Sequence, residues 1–480
     1  MITTDHKADV LVLGAGPAGI NAAVTAANLG LSVVLIDQNP AAGGQVYRPM
    51  PFQFTHTQEL SDAEAIGAVQ REKLKKSAVF TYFEHTVWNV TRDLRVDAVG
   101  PDGPRHWVCR ALIVATGTTE RVVPFPGWEL PGVIGLAAAT ILLKSQKMLP
   151  GKTTLVAGCG PLLTAVAAGI VEGGGHVAAV VDAASKQAWA RGMPELISRP
   201  DLLWQGIKWI AKIKRAGTPI LSASAIERIE PSKKSRLSVT VRPVDSQRRL
   251  ITSARSQTIV VDAVVVGNGL VPSTDITRAL RAEHEYVNAL GGWIAKNDQL
   301  VRSSVDGLYL AGDACGISGA AAALWHGELA GLTVGYDLGK LDVQAYRALV
   351  EPVRKEFYKA RKFGRAMGRL MAMPPQQVES VSAEAIVCRC EDVTRREIEA
   401  AIDEGAREVN QLKAWTRCGM GPCQGRTCGD IVASILALKT GSREAAGYFT
   451  GRGPLRPVSL EQITGTYEYS DIPIPKAAPL

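Results

Sequence analysis

The sequence predicts an α/β fold of two strand–turn–helix units in tandem, closed by a small all-helical unit that carries cysteines. Three observations predict it. The stretch from Ala8 to Gly19 runs as an apolar strand into Gly-Ala-Gly-Pro-Ala-Gly and an alanine-rich helix, and an acid, Asp37, tips the next strand. The pattern restarts at Thr153, passes through Gly158-Cys-Gly160 and reaches a second acid at Asp182. Five of the eight cysteines fall between Cys388 and Cys428.

The first unit fits a dinucleotide. Gly14 allows the tight turn, Gly16 lets backbone approach a pyrophosphate, and Gly19 lets the helix pack against the strand. Pro17 and Ala18 open the helix, whose unsatisfied N–H groups face the phosphates. Asp37, with Gln38 beside it, stands where a carboxylate accepts both ribose hydroxyls. The unit is Rossmann-like, and by itself it serves FAD or NAD equally.

The 480 residues suffice for several domains. A charged fraction of 21% and a hydrophobic fraction of 46% are those of a soluble globular protein. The net charge of +8, spread over so long a chain, describes a basic surface rather than a nucleic-acid binder. Met1 to His6 is polar and gives no signal peptide. The longest uncharged run, Leu155 to Val171, contains Gly-Cys-Gly-Pro and reads as strand, turn and helix rather than a membrane span. Clustered cysteines argue for metal ligation in a reducing cytosol, not for a disulfide framework.

Along the chain, Ser61-Asp-Ala-Glu64 opens a helix as a capping box. Strands at 79–83, 86–90 and 95–99 form an antiparallel excursion with a turn at Pro101-Asp-Gly-Pro104, and the chain returns through Ala111 to Ala115-Thr116-Gly117. In the second loop Leu163 takes the third glycine's place and should push the helix off the strand, so the site around Gly158, Gly160 and Asp182 is degenerate. ATP, NAD(P) and no ligand at all stay open there. A basic helix follows around Leu202 to Arg215, with Trp204 and Trp209 expected in the core, a partner surface being the other reading. Asp262 to Pro272 brings the chain back, and Gly307 to Asp313 leads into an alanine-rich helix containing His326, expected to be structural. A long basic helix from Leu341 to Met373 stops at Pro374-Pro375. The expected domains are 1–120 with 265–340, 121–264, a helical linker 341–380, the cysteine unit 381–442 and an extended tail 443–480.

Thiolates in such a cluster select zinc or iron–sulfur. A C-x-C pair and a C-x4-C pair separated by two helices do not match the paired C-x-x-C knuckles of zinc modules, which favours iron–sulfur. The run Gly419-Met-Gly-Pro-Cys-Gln-Gly425 resembles the helical 2Fe-2S domain of bacterioferritin-associated ferredoxin. With 32 residues between Cys390 and Cys423, that resemblance implies Cys388, Cys390, Cys423 and Cys428 as ligands and leaves Cys418 spare. The strand ending Gly312-Asp313 resembles the FAD-contacting strand of flavoproteins of the pyridine nucleotide-disulfide oxidoreductase type, and Gly43, Gly44 and Gln45 would line the flavin as in similar proteins. Their redox cysteine pairs are missing, since Cys159 and Cys315 stand alone.

Over nearly its whole length the chain resembles the larger flavoprotein subunit of hetero-oligomeric amino-acid and opine dehydrogenases. The resemblance implies FAD and a 2Fe-2S cluster as cofactors, and as partners a smaller FAD-containing catalytic subunit and a small ferredoxin-like subunit. The clustered cysteines and polar start lead us to expect a cytoplasmic protein, peripheral to a membrane only through partners. Two other readings stand beside it: a self-contained NAD(P)H-dependent oxidoreductase, and a non-catalytic nucleotide-binding scaffold. No convergent set of acid, base and substrate-binding arginine is legible, so neither catalytic residues nor the substrate are assigned.

Overall fold

The computed structural model describes residues 6–50 and 62–464. The chain opens with β1 (His6–Leu13), α1 (Pro17–Asn28) and β2 (Val33–Ile36). β2 lies parallel to β1, Val10 opposite Val33, because α1 carries the chain back along one face. The central strands are covered on both faces, so they read as unbroken apolar runs rather than as alternation.

Of the capping box expected at Ser61, that residue lies outside the described residues; α2 (Asp62–Lys75) follows it. α2 returns the chain to β3 (Val79–Tyr82), which pairs in parallel with β2. The first strand of the expected antiparallel excursion is therefore a third parallel strand. A short apolar run carries no direction; the helix before it does. The excursion proper is β4 (Thr86–Val90), β5 (Arg95–Gly100) and β6 (Gly103–Val114). β6 pairs antiparallel with β5 at its start and parallel with β1 beyond it, giving the order β3-β2-β1-β6-β5-β4.

β7 (Thr118–Glu120) leads out to β8 (Val133–Gly135), α3 (Leu136–Ile141), β9 (Thr153–Gly158), α4 (Leu162–Glu172), β10 (His176–Asp182), α5 (Lys186–Leu196), α6 (Pro200–Arg215) and β11 (Ile220–Ser222). An antiparallel sheet of β12 (Ser224–Ser232), β13 (Arg236–Pro243) and β14 (Gln257–Val261) follows. β15 (Ala263–Gly267) then completes a second parallel sheet, β11-β10-β9-β15-β8. The return strand β16 (Leu270–Pro272) pairs antiparallel with the outgoing β7, so the two crossings are tied together. On α6 only part of the expectation holds: Trp209 packs on the second core, whereas Trp204 is 60% exposed.

After α7 (Asp275–Ala279) and the hairpin β17 (His284–Val287) and β18 (Gly292–Ala295), β19 (Leu308–Leu310) joins β6 in the first sheet. α8 (Ala320–Asp337) lies against α1 so closely that a Cβ on Gly327 would come within 2.0 Å of the Ala18 carbonyl oxygen. α9 (Val343–Met371), capped by Asp342 on the N–H groups of Gln344 and Ala345, packs on α8 with Val350, Val353 and Phe357. Its last turn reaches the second unit, where the Cys159 thiol bonds the Leu370 carbonyl at 3.2 Å. The segment read as a linker is a strut between both units.

The C-terminal unit holds the hairpin β20 (Ile386–Cys388) and β21 (Val393–Thr394), then α10 (Arg395–Asp403), α11 (Val409–Thr416), α12 (Gly429–Thr440) and α13 (Arg443–Ala446). It has its own core, including Ile398, Leu412, Ile431 and Leu436. The capping box on Thr394 and Glu397 forms as expected. The tail is not wholly extended: beyond α13, Phe449 packs on the unit's core, and the Leu455 N–H bonds the Trp88 carbonyl at 2.6 Å. Among the described residues no helix is long and apolar enough to cross a membrane.

One buried ion triad docks this unit. Arg121, whose side chain is 2% exposed, bonds Asp430 through Nε at 2.7 Å and the Gly291 carbonyl through Nη2 at 2.9 Å, while Arg443 bonds the other Asp430 oxygen at 2.8 Å. Removing one member strands a buried charge, so Arg121→Met should cost about 3–5 kcal/mol in urea unfolding. Arg417→Met, which breaks an exposed pair with Glu391, should cost less than about 1 kcal/mol. Equal costs would show that the triad does not hold the unit.

Candidate functional site

The glycine turn after β1 is built as a cradle. Gly14 takes φ +102°, and a Cβ there would lie 2.5 Å from the Ala115 carbonyl oxygen. A Cβ on Gly19 would fall 1.7 Å from the Gly14 carbonyl oxygen, so only glycine lets α1 start at this depth. Above Gly16 the space is open, its nearest neighbour being Gly44 at 3.9 Å, which places Gly43-Gly44-Gln45 over the same turn as Pro17 and Ala18. Asp37 ends β2 next to this turn, accepting from the Ala15 N–H at 2.5 Å and the Asn39 N–H at 2.7 Å; Gln38 beside it is exposed.

The other two expected segments converge here. Ala115 continues β6, bonding the Leu13 carbonyl at 2.9 Å, and Thr116 and Gly117 tie the crossing to Ser273 through bonds of 3.0 and 2.9 Å. Gly312, at φ +69°, lies against Ala18, so Asp313 stands at the opening of α1. One Asp313 oxygen accepts from the N–H groups of Ser318 and Gly319 at 2.7 and 3.0 Å, and burial pushes its pKa up. Its second oxygen has no hydrogen-bond partner among the described residues. Turn, open floor, acid at the second strand and acid at the last strand together fit a dinucleotide of FAD's length.

His326 is structural, as expected, with a role the sequence did not suggest. Its Nδ1 accepts from the Gly312 N–H at 3.0 Å, which puts the ring proton on Nε2. The ring stacks on Phe357 at 4.6 Å, and burial pushes its pKa down to about 4. It holds the Gly312–Asp313 turn as a neutral ring.

The second turn has the same outline with different contents. Gly158 at φ +136° passes within 1.8 Å (as Cβ) of the Gly267 carbonyl oxygen, and Gly160 at φ +102° abuts the Met371 side chain. Leu163 does not push α4 away from the sheet; its side chain, 1% exposed, fills the core beside Val156 and Val265. The Asp182 carboxylate is bonded by the Ala184 N–H and the Trp189 indole, each at 2.9 Å, and burial raises its pKa. The end of α9 and Trp189 thus pack against this second turn.

In the C-terminal unit, Cys388 ends β20, Cys418 follows the left-handed cap of α11 at Arg417, and Cys428 caps α12. Their three sulfurs lie within 4.8 Å of one another and are buried. The neighbouring thiols of Cys418 and Cys428 hold the Cys388 pKa far below that of an ordinary thiol. Cys390 and Cys423 lie near each other, Cys390 at the surface and Cys423 half-buried. Cys418, set aside by the resemblance, therefore sits in the buried trio. Three converging sulfurs with two further cysteines nearby, beside the start of α12, fit a thiolate-held iron–sulfur cluster. The tail ring of Phe449 covers the loop, where Cβ atoms on Gly419 and Gly425 would lie 2.7 and 2.5 Å from it. Cys159 and Cys315 stay single, and burial pushes their thiols up to about 11 and about 12.

Two substitutions probe the cradle. Gly19→Ala should yield protein without bound flavin, while Gly206→Ala, with nothing within 4 Å of the added Cβ, should keep full occupancy by absorbance after gel filtration. Asp313→Ala should lose flavin on the column; full retention would contradict the role given to that acid.

Comparison with known proteins agrees with this geometry. Residues 8–327 match the pyridine nucleotide-disulphide oxidoreductase family, and residues 386–437 match the BFD-like [2Fe-2S] binding domain. An opine oxidase subunit from Rhizobium meliloti is 34% identical over 96% of this chain and 99% of its own. Hydrogen cyanide synthase subunit HcnB of Pseudomonas aeruginosa is 33% identical over 93% of this chain and 96% of its own. The crystal structure of L-proline dehydrogenase from P. horikoshii superposes with a TM-score of 0.68 over 95% of this chain and 79% of that one, at 20% identity, a likeness of fold. The chain belongs to the pyridine nucleotide-disulphide oxidoreductase family and is an FAD-dependent oxidoreductase that carries a BFD-like [2Fe-2S] domain.

Proposed function

We propose that this chain is the electron-carrying subunit of a multi-subunit amino-acid or opine dehydrogenase, moving electrons between a partner subunit's substrate flavin and an acceptor. The observation that carries the reading is the thiol cluster, docked on the flavin unit through Arg121, Asp430 and Arg443, in a protein with no dithiol beside the flavin turn. Two relatives similar over nearly their full length are named as subunits of larger enzymes, which supports partners of the kinds expected: a smaller FAD-containing catalytic subunit and a small ferredoxin-like subunit. Such an assembly would sit in the cytoplasm, meeting a membrane only through partners.

The bound groups supply the redox chemistry, flavin for electron pairs and cluster for single electrons. The chain's own residues do the rest. The Gly14–Gly19 turn and Asp37 bind, Gly312 and Asp313 orient through His326, and Phe449 keeps water from the cysteine loop. The self-contained NAD(P)H reading needs a free second turn, and Met371 and Trp189 stand against it.

For the cluster we infer Cys388, Cys390, Cys423 and Cys428 as ligands, two from each end of the module, with Cys418 as a thiol donating into the buried trio. Cys388→Ser should abolish the reduced-cluster EPR signal with FAD still bound. Cys418→Ser should keep most of it; a lost signal would bring Cys418 into the coordination shell in place of the surface cysteine, Cys390.

The functional test is turnover. Alone, the chain should leave its flavin oxidised under NADH and show no activity on amino acids or opines; with its smaller partner subunit, one of those substrates should turn over. Prompt flavin bleaching by NADH in the isolated chain would overturn the reading.

A further inference from the structure

A cavity of about 460 Å³ opens between the cysteine loop and the return segment of the flavin unit, roofed by the tail. Thr274 to Arg278 form one wall, Gly419 to Gly429 another, and Tyr448 to Leu455 the roof. None of the dinucleotide-turn residues and none of the five clustered cysteines lines it. It belongs to neither site described above.

Its charge runs one way. Arg278, Lys413, Arg417, Arg426, Arg443 and Arg452 face it against two acids, Asp275 and Asp430. Both acids are already engaged, Asp275 by Arg426 and Arg456 and Asp430 by Arg121 and Arg443. Arg417 is held by Glu391. Arg278, Lys413 and Arg452 are left with no carboxylate in salt-bridge range among the described residues; the first lies 4.5 Å over the Tyr448 ring and the second 5.3 Å over Phe449.

The decisive feature is three cations on one cavity without a carboxylate partner, while both lining acids are already taken. A cation excess of this kind selects an anion. The volume is that of a small-metabolite site.

We propose that this cavity binds a small oxyanion-bearing molecule, a phosphate or carboxylate compound, whose oxygens pair with Lys413 and Arg278, with Arg452 at the rim. The site is distinct from the flavin and cluster sites and lies against the loop that joins Cys418 to Cys428. An anion bound there sits next to the electron carrier, where its charge opposes added electrons.

Calorimetric titration of the full chain, loaded with flavin and cluster, tests this with inorganic phosphate and, separately, succinate in chloride buffer. Saturable binding of one anion per chain is expected. Tighter phosphate identifies a phosphate compound as the ligand, and tighter succinate a carboxylate. Arg278→Gln and Lys413→Gln should each weaken binding at least about tenfold with flavin and iron content unchanged. Arg452→Gln, at the exposed rim, should weaken it less and guards against misfolding of the buried variants. No saturable heat with either anion, or binding that all three variants leave unchanged, would overturn the proposal.

Discussion

Asp430 lies between two guanidinium groups that come from opposite sides of a domain contact. Burial alone would raise its pKa, and Arg443 and Arg121 overcome that, holding the carboxyl well below its ordinary range. Asp430 follows Cys428 by two residues in the first turn of α12. The contact that docks the cysteine unit therefore also sets where the end of its sulfur cluster stands relative to the flavin unit. Arg121 extends the constraint, because its remaining donors reach Gly291 and Met371, the loop before β18 and the end of α9. Three segments remote from it in sequence are fixed by one planar cation, a task its rigid fork of donors suits better than a flexible ammonium.

The two glycine turns share an outline and differ in what packs on them. The first turn keeps an open floor above Gly16 and closes behind it with Gly19. The second turn keeps the left-handed glycines that the chain path requires, yet Leu163 turns its floor into core and α9 ends on top of it. The glycine geometry there is held by packing against Gly267 and Met371. Its acid, Asp182, accepts from the indole N–H of Trp189.

Much of this was legible in the sequence because the motifs are backbone constraints. Glycines at fixed spacing, an acid at a strand end and paired cysteines state geometry directly, and the turn, the crossing at Ala115–Gly117 and the Gly312–Asp313 turn all lie where such spacing puts them. What escaped depends on contacts between distant segments. Nothing local marks β3 as parallel, His326 as the anchor of Gly312, or Met371 as the cover of Gly160. Likewise Cys418 reads as spare along the chain, and only folding brings its sulfur to those of Cys388 and Cys428. The basic cavity was invisible for the same reason, since its walls come from residues near 275, 293, 420 and 450.

The central claim is that the thiol cluster holds an iron–sulfur centre placed to exchange electrons with the flavin unit. Elemental and sulfide analysis of the purified full chain, combined with stepwise anaerobic dithionite titration followed by visible absorbance and EPR, tests it most directly. Iron and acid-labile sulfide in equal amounts, at one [2Fe-2S] cluster per chain, with flavin and cluster signals reaching common equilibrium after each addition, is the expected result. Zinc in place of iron, or a cluster that stays oxidised while the flavin is fully reduced and never equilibrates with it, would contradict the account.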